Sequence, residues 1–389
     1  MRHLLICGEP GDEVLLYGHL VATTPAGDFS ALLVSPSPLN GERSFEAEDR
    51  WRHSCRAMGV MPLGSLRSPI PLALASSQRT ESAAARIAQF PPEELLGPMR
   101  PLLARADRVY VPSIEDPCPA RSVAAAALSA LSPTLWMATP HGPGDQVVAL
   151  TTAQFQMLSE WLSDHYAEHL RISRIRVSDL SGVQQYRRME GAQVRRFAIQ
   201  FLGGDFAGVR EEDPWDFVQS PYERRRHALE CRALHDFDWT TLVEIGACQG
   251  ALTRRLITEF PGRQITCIEP NAPFLEALRR EFGEVVRVEG IGLADLRGHF
   301  DVVLASSVLY YLDAFPLSLL DAARMYFVSS HLKTYHDTVV TPIMTLRGWT
   351  AVARHALSPR IEMFCGIPVL KDGTEVIVWR RPLEGADNV

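Results

Sequence analysis

The sequence predicts an α/β protein of two domains, each a mostly parallel sheet flanked by helices. Three observations carry this. The chain has 389 residues, and at about 100–200 residues per domain two domains are the natural expectation. Two places read as a buried apolar strand running through a glycine-bearing loop into a helix: His3 to Cys7 into G-E-P-G-D-E, and Thr241 to Ile245 into G-A-C-Q-G. Each is followed by short apolar strands alternating with longer helical patterns, as in doubly wound, Rossmann-like sheets.

In the first half the further strands are Ala31 to Val34, Arg108 to Val111 and Thr134 to Met137. In the second they are Gln264 to Glu269, Val285 to Glu289 and Asp301 to Ala305. Proline-rich stretches at Ser65 to Leu72 and Phe90 to Pro101 read as long loops. Helical patterns fill Thr152 to Leu170 and Tyr186 to Phe201. The run G-G-D-F-A-G-V-R-E-E-D-P-W is glycine-rich and then charged. It places the junction near Gly203 to Glu212, with domains of 1–205 and 206–389.

Apolar residues make up 46% and charged residues 22%, enough for two packed cores. A formal net charge of -7 gives no basic balance for nucleic acid. The seven cysteines are odd in number, scattered and without C-x-x-C spacing. That pattern excludes a disulfide framework or zinc ribbon and points to a reducing cytoplasm. The opening M-R-H-L-L-I-C meets Glu9, Asp12 and Glu13 too soon for a signal peptide and reads as a buried first strand. No run approaches the ~20 apolar residues of a membrane span. A homo-oligomer stays open.

The loop V-E-I-G-A-C-Q-G suits a ligand lying across the carboxyl ends of the strands. Gly246 and Gly250 let the backbone turn tightly and approach it. The N–H groups of the helix beginning near Ala251 face the loop and suit a carboxylate. Glu269 ends the next strand, about 20 residues on, where an acid accepts hydrogen bonds from ribose hydroxyls. Glu244 and Ala247 beside Gly246, and Pro270 after Glu269, complete the expected contacts. G-x-x-x-G without G-x-G-x-x-G tilts against a dinucleotide. On these residues alone a nicotinamide cofactor stays open beside the expected S-adenosylmethionine.

The stretch D-P-W-D-F…Y-E-R-R-R-H-A-L (Asp213 to Leu229), the glycine loop, and F-D-V-V-L-A-S-S-V-L-Y-Y-L (Phe300 to Leu312) together resemble the NodS-like class I methyltransferases. The resemblance implies methyl transfer to the amine of an amino sugar or related small molecule. It implies that Trp215, Tyr222 and Arg226 lie on a segment folded over the donor, and that Ser306, Tyr310 and Tyr311 lie near the transferred methyl. Packing at a domain junction is an alternative for Trp215. O-methylation is an alternative reaction, because the donor loop serves many acceptors. An amine must be neutral to attack, so a Tyr, His or carboxylate that takes its proton is expected. Tyr310 and His331 are the catalytic candidates, although His331 and His336 would ordinarily be surface residues.

The opening L-L-I-C-G-E-P-G-D-E resembles the first motif of PIG-L/LmbE-like deacetylases, zinc enzymes whose motif reads H-P-D-D-E. Here Glu9, Pro10, Gly11, Asp12 and Glu13 stand in its place. The later H-P-D-H motif is matched by Cys118 to Arg121. Gly11 cannot act as a base, and the cationic Arg121 repels zinc. The resemblance therefore implies a domain that has lost hydrolysis and metal and serves in substrate binding or scaffolding. A bifunctional deacetylase–methyltransferase and a non-catalytic assembly protein are the alternatives.

Overall fold

The computed structural model describes residues 1–24, 28–36, 43–66, 87, 93–114, 119–139, 144–171, 180–201, 209, 212–312, 314–364 and 367–382. The chain divides into two compact units, Met1–Asp205 with Cys365–Ile367, and Phe206–Phe364 with Pro368–Val389.

In the first unit the strands are β1 (Arg2–Cys7), β2 (Asp28–Leu33), β3 (Met61–Ser65), β4 (Arg108–Val111), β5 (Thr134–Ala138), β6 (Gln146–Ala149) and β7 (Val183–Glu190). They form one sheet in the order β3-β2-β1-β4-β5-β7-β6. The first five are parallel; β7 runs antiparallel to both β5 and β6. Four helices bear on the argument: α1 (Asp12–Leu15), α2 (Ser44–Ala57), α3 (Pro119–Ser129) and α4 (Thr152–Arg171). Leu5, Cys7, Ala31, Leu33 and Tyr110 are fully buried in its core.

The second unit holds β8 (Thr241–Ile245), β9 (Gln264–Ile268), β10 (Arg287–Glu289), β11 (Phe300–Ser306), β12 (Ala323–Leu332), β13 (Thr350–Leu357) and β16 (Thr374–Arg380). Their order is β10-β9-β8-β11-β12-β16-β13, with β16 antiparallel to its neighbours. A separate two-stranded sheet pairs β14 (Arg360–Phe364) with β15 (Ile367–Lys371). The helices that position the site are α5 (Pro221–His235), α6 (Ala251–Glu259) and α7 (Ala272–Phe282). Alternate residues of β8 face opposite cores: Leu242 packs in one, Val243 and Ile245 in the other. In both sheets the connection reverses between the first and fourth strands, which opens a crevice at their carboxyl ends.

The fold is the α/β class expected. Two expectations are corrected: the Phe90 to Pro101 stretch, expected as a loop, holds one short helix over Glu93–Leu96 and the start of another, Arg100–Leu103, and the helix expected from Tyr186 gives way to a strand. Tyr186 to Glu190 belongs to β7, and the helix runs only over Gly191–Phe201. The segment V-Q-Q-Y-R-R-M-E is flanked by β5 and β6, and its ladder bonds to both override its local helical pattern. Among the described residues no helix is long and apolar enough to cross a membrane.

Candidate active site

The loop after β8 turns through three left-handed residues, Gly246 (φ 69°), Cys248 (φ 50°) and Gly250 (φ 83°). Gly246 and Ala247 donate their N–H groups to the Ile268 carbonyl at 2.9 and 3.1 Å, pinning the loop to the end of β9. A Cβ on Gly246 would lie 2.8 Å from Val308 Cγ2, and one on Gly250 would strike the Phe282 ring. Both glycines are thus required by space as well as by φ. Cys248 accepts a conformation costing about 1–2 kcal/mol for an L-residue. Its N–H donates to Glu269 Oε2 at 2.8 Å, which helps to hold it there.

Glu269 is buried. Its other oxygen accepts the Asn271 N–H at 2.8 Å. Burial raises its pKa, while the two backbone donors oppose that rise. Each oxygen keeps a lone pair beyond its single backbone bond. Ala247 is buried beside it and Pro270 is exposed. Glu244 instead points beneath the loop. It accepts a hydrogen bond from Thr253 Oγ1 at 2.7 Å, and burial pushes its pKa up to about 8. That bond ties β8 to α6.

The segment before α5 closes on this loop. Asp213 donates its N–H to Gln249 Oε1 at 2.6 Å, and its carboxylate accepts the N–H groups of Phe217 and Val218. Trp215 stacks on Phe217 at 5.8 Å and meets the edge of Phe274, in the first turn of α7, at 5.7 Å. It packs within the second unit, one helical turn from Glu269.

Arg226 is the centre of a buried network. It donates to Glu223 Oε2 at 2.9 Å, to Ser306 Oγ at 2.7 Å and to Ser307 Oγ at 2.5 Å. Glu230 lies 3.6 Å away and receives Ser306 Oγ at 2.7 Å. Lys371 Nζ completes the chain, 3.1 Å from Glu223. Tyr222 does not turn toward the donor loop: its hydroxyl donates to the Asp372 carbonyl and lies 2.8 Å from Thr374 Oγ1. Its role is to fasten α5 to the start of β16.

Beyond β11, Ser307 is left-handed (φ 50°) and leads into a single turn, Leu309–Tyr311. Tyr310 and Tyr311 are exposed there, with rings 4.4 Å apart. The Tyr310 ring also lies 5.6 Å from His331 and 6.0 Å from Tyr335, and His331 lies 5.3 Å from Tyr335. His331 is fully buried, contrary to the surface expectation, because its strand β12 is central in the sheet. Among the described residues neither ring nitrogen has a hydrogen-bond partner. Burial first, then His336 and Arg226, hold its pKa well below the ordinary imidazole value. His336 is also buried, pushed down to about 4, with Nε2 2.9 Å from Ser329 Oγ.

In the first unit the corresponding loop is already neutralised. Asp12 Oδ2 accepts the N–H groups of Gly8 and Glu9 at 2.8 and 3.1 Å, and Oδ1 pairs with Arg121 at 2.6 Å. Glu13 is fully buried and pushed up to about 7 by that burial. It accepts bonds from Ser54 Oγ at 2.7 Å and from the Tyr166 hydroxyl. A guanidinium therefore occupies the charge position a metal would need, and these residues do not fit zinc. Among the described residues no cluster of His, Cys, Asp or Glu could hold a metal ion. Cys118 lies outside them. Arg121→Met is expected to lower the unfolding free energy of this unit by about 3–5 kcal/mol, since it strands a buried carboxylate. Urea titration reads the loss, and adding Asp12→Asn should recover part of it.

Residues 243–332 match the model of a methyltransferase domain. The match lies wholly within the second unit. Similar solved structures include the N-methyltransferase NodS from Bradyrhizobium japonicum WM9 with S-adenosyl-L-homocysteine. That likeness is 20% identical, covers 44% of this chain and 93% of that one, and has a TM-score of 0.37. Magnesium protoporphyrin IX methyltransferase from Synechocystis PCC 6803 is 14% identical, with 48% and 90% covered and a TM-score of 0.34. Comparison with curated proteins gave no match.

The candidate site brings together residues that sequence reasoning missed: Gln249, Glu223, Glu230, Ser307, Tyr335 and Lys371. The spacing of Glu223, Arg226 and Glu230 on one helix face was a visible signal, but such stripes usually face solvent.

Proposed function

We propose that the chain is a methyltransferase acting on the nitrogen of an amino sugar or related small amine. In this reading Trp215, Gly246, Ala247, Gly250, Glu269 and Pro270 surround the donor, while Tyr310 and His331 meet the acceptor. Two features support the donor: Gly246 and Gly250, whose Cβ atoms would strike Val308 and Phe282, fix the tight turn of the loop, and Glu269 offers lone pairs from a buried carboxylate. When bound, S-adenosylmethionine supplies a methyl group already activated on a sulfonium. The chain need only hold the acceptor in line and away from water, which lowers such a barrier by roughly 7–11 kcal/mol. Arg226 fixes Ser306 and Ser307 at the head of β11, and Glu244, Tyr222 and Glu230 hold the supporting elements.

The observation that carries the amine reading is His331, a buried neutral imidazole with two unpartnered nitrogens beside the exposed Tyr310. Its depressed pKa makes it a weak base. Displacement of the Tyr310 ring by the acceptor would uncover it to accept a hydrogen bond from an amine N–H and so direct the nitrogen lone pair. His331→Asn is expected to lower kcat about 100-fold, within the range of positioned side chains. S-adenosylhomocysteine affinity should not change. The acid limb of the pH–rate profile should stay where the acceptor's own amine sets it. An unchanged kcat on a glucosamine acceptor would sink this assignment.

The first unit is, on this reading, a deacetylase-like frame without hydrolysis. Its support is the Asp12–Arg121 pair together with Gly11 at the general-base position. It serves substrate binding or scaffolding.

A further inference from the structure

A second cleft lies at the same edge of the methyltransferase sheet. It has a volume of about 440 Å³ and opens where β12 and β13 end and β16 begins. Binding sites in α/β sheets gather at this carboxyl edge, and the volume falls in the range of small-molecule sites. The cleft begins at Leu332, the residue after His331, and its wall residue Glu375 pairs with His331 across the β12–β16 ladder.

Its polar lining consists of Lys333, Thr334, Ser358, Asp372, Thr374 and Glu375. The charges are unequally satisfied. Lys333 is bound to Asp337 at 2.6 Å and Glu375 to Arg354 at 3.3 Å. Asp372 has no ion pair among the described residues. Its backbone is nevertheless fixed, because its carbonyl accepts the Tyr222 hydroxyl. The cleft thus presents one unneutralised carboxylate on an anchored turn, surrounded by hydroxyl groups.

We propose that this cleft is a distal acceptor subsite that takes a second ammonium group, borne on a hydroxylated scaffold. The proposal rests on the amine-methyltransferase reading and deepens it: the acceptor carries at least two amines, one methylated and one held by Asp372. Thr334, Ser358 and Thr374 bond its hydroxyls. Leu332, Leu357 and Pro359 offer the apolar surface on which a ring lies.

Isothermal titration tests this with two probes, the fully deacetylated glucosamine tetramer and the glucosamine monomer, each with and without S-adenosylhomocysteine. The tetramer should bind at least 10-fold more tightly than the monomer, and the gap should narrow as salt rises. Asp372→Asn should weaken the tetramer about 10-fold and leave the monomer unchanged. Ser358→Trp, which fills the cleft, should do the same. Equal affinity for the two probes, absence of tetramer binding, or a tetramer affinity indifferent to both variants overturns the subsite. Titration with S-adenosylhomocysteine alone is the separate control: its failure removes the methyltransferase reading, while tetramer binding still judges the cleft.

Discussion

Glu269→Ala is expected to abolish useful donor binding. Two charged hydrogen bonds to ribose hydroxyls contribute about 1.5–3 kcal/mol each. Their joint loss corresponds to roughly 10²–10⁴ in Kd. The substitution also frees the N–H groups of Cys248 and Asn271 that Glu269 now accepts. The left-handed turn at Cys248 then loses its restraint, so the effect should sit at the upper end of the range. Glu269→Gln keeps the shape and should lose less. Calorimetry with S-adenosylhomocysteine decides the matter, and an Ala variant binding within threefold of the parent would refute the donor-site assignment.

Arg226→Met should produce the largest stability loss in the second unit. Removing one partner from a buried ion-pair network typically costs about 3–5 kcal/mol. Glu223 and Glu230 would remain buried, although Lys371 would still partner Glu223. Burial raises the pKa of Glu230, so protonation offers it partial relief and favours the lower end of that range. The sign with pH follows from Glu223. Arg226 and Lys371 hold its pKa below its ordinary 4.5 against the burial that raises it. That stabilisation is fully present above this value and is lost as pH falls through the folded pKa. The difference between parent and variant should therefore shrink below about pH 4.5. A denaturant midpoint unchanged at pH 7 would contradict the network. Since Arg226 also fixes Ser306 and Ser307, folded variant enzyme should be slow as well.

The glycine loop and its carboxylate were legible because they are local. Gly246, Gly250 and Glu269 lie in one strand–loop–helix–strand passage, and each residue type answers a backbone or ribose requirement readable along the chain. The strands β1, β2, β4, β5 and β8 to β11 were legible from their apolar runs for the same reason, whereas β3, β6 and the strands from β12 onward were not foreseen. At β7, partners from β5 and β6 overruled a helical pattern. Glu244 and Tyr222 were harder to place. Their spacing fitted the site, but Glu244 meets Thr253 behind the loop and Tyr222 meets Thr374 on β16. The network around Arg226 depends on Ser306, 80 residues away, and its partner Glu223 depends on Lys371, 148 residues away. Nothing on α5 alone says that its charged stripe is buried. His331 is similar: its burial comes from β16 on one side and β11 on the other.

The two sheets share one strand order, yet the loops at their reversal crevices are held by different means. Around Gly246 and Glu269 a change in any one residue is felt by a molecule that must enter from outside. At Asp12 and Arg121 the constraint is internal, and it is satisfied by any pair that neutralises itself. Matched replacements at positions 12 and 121 should therefore be tolerated together where either alone is not.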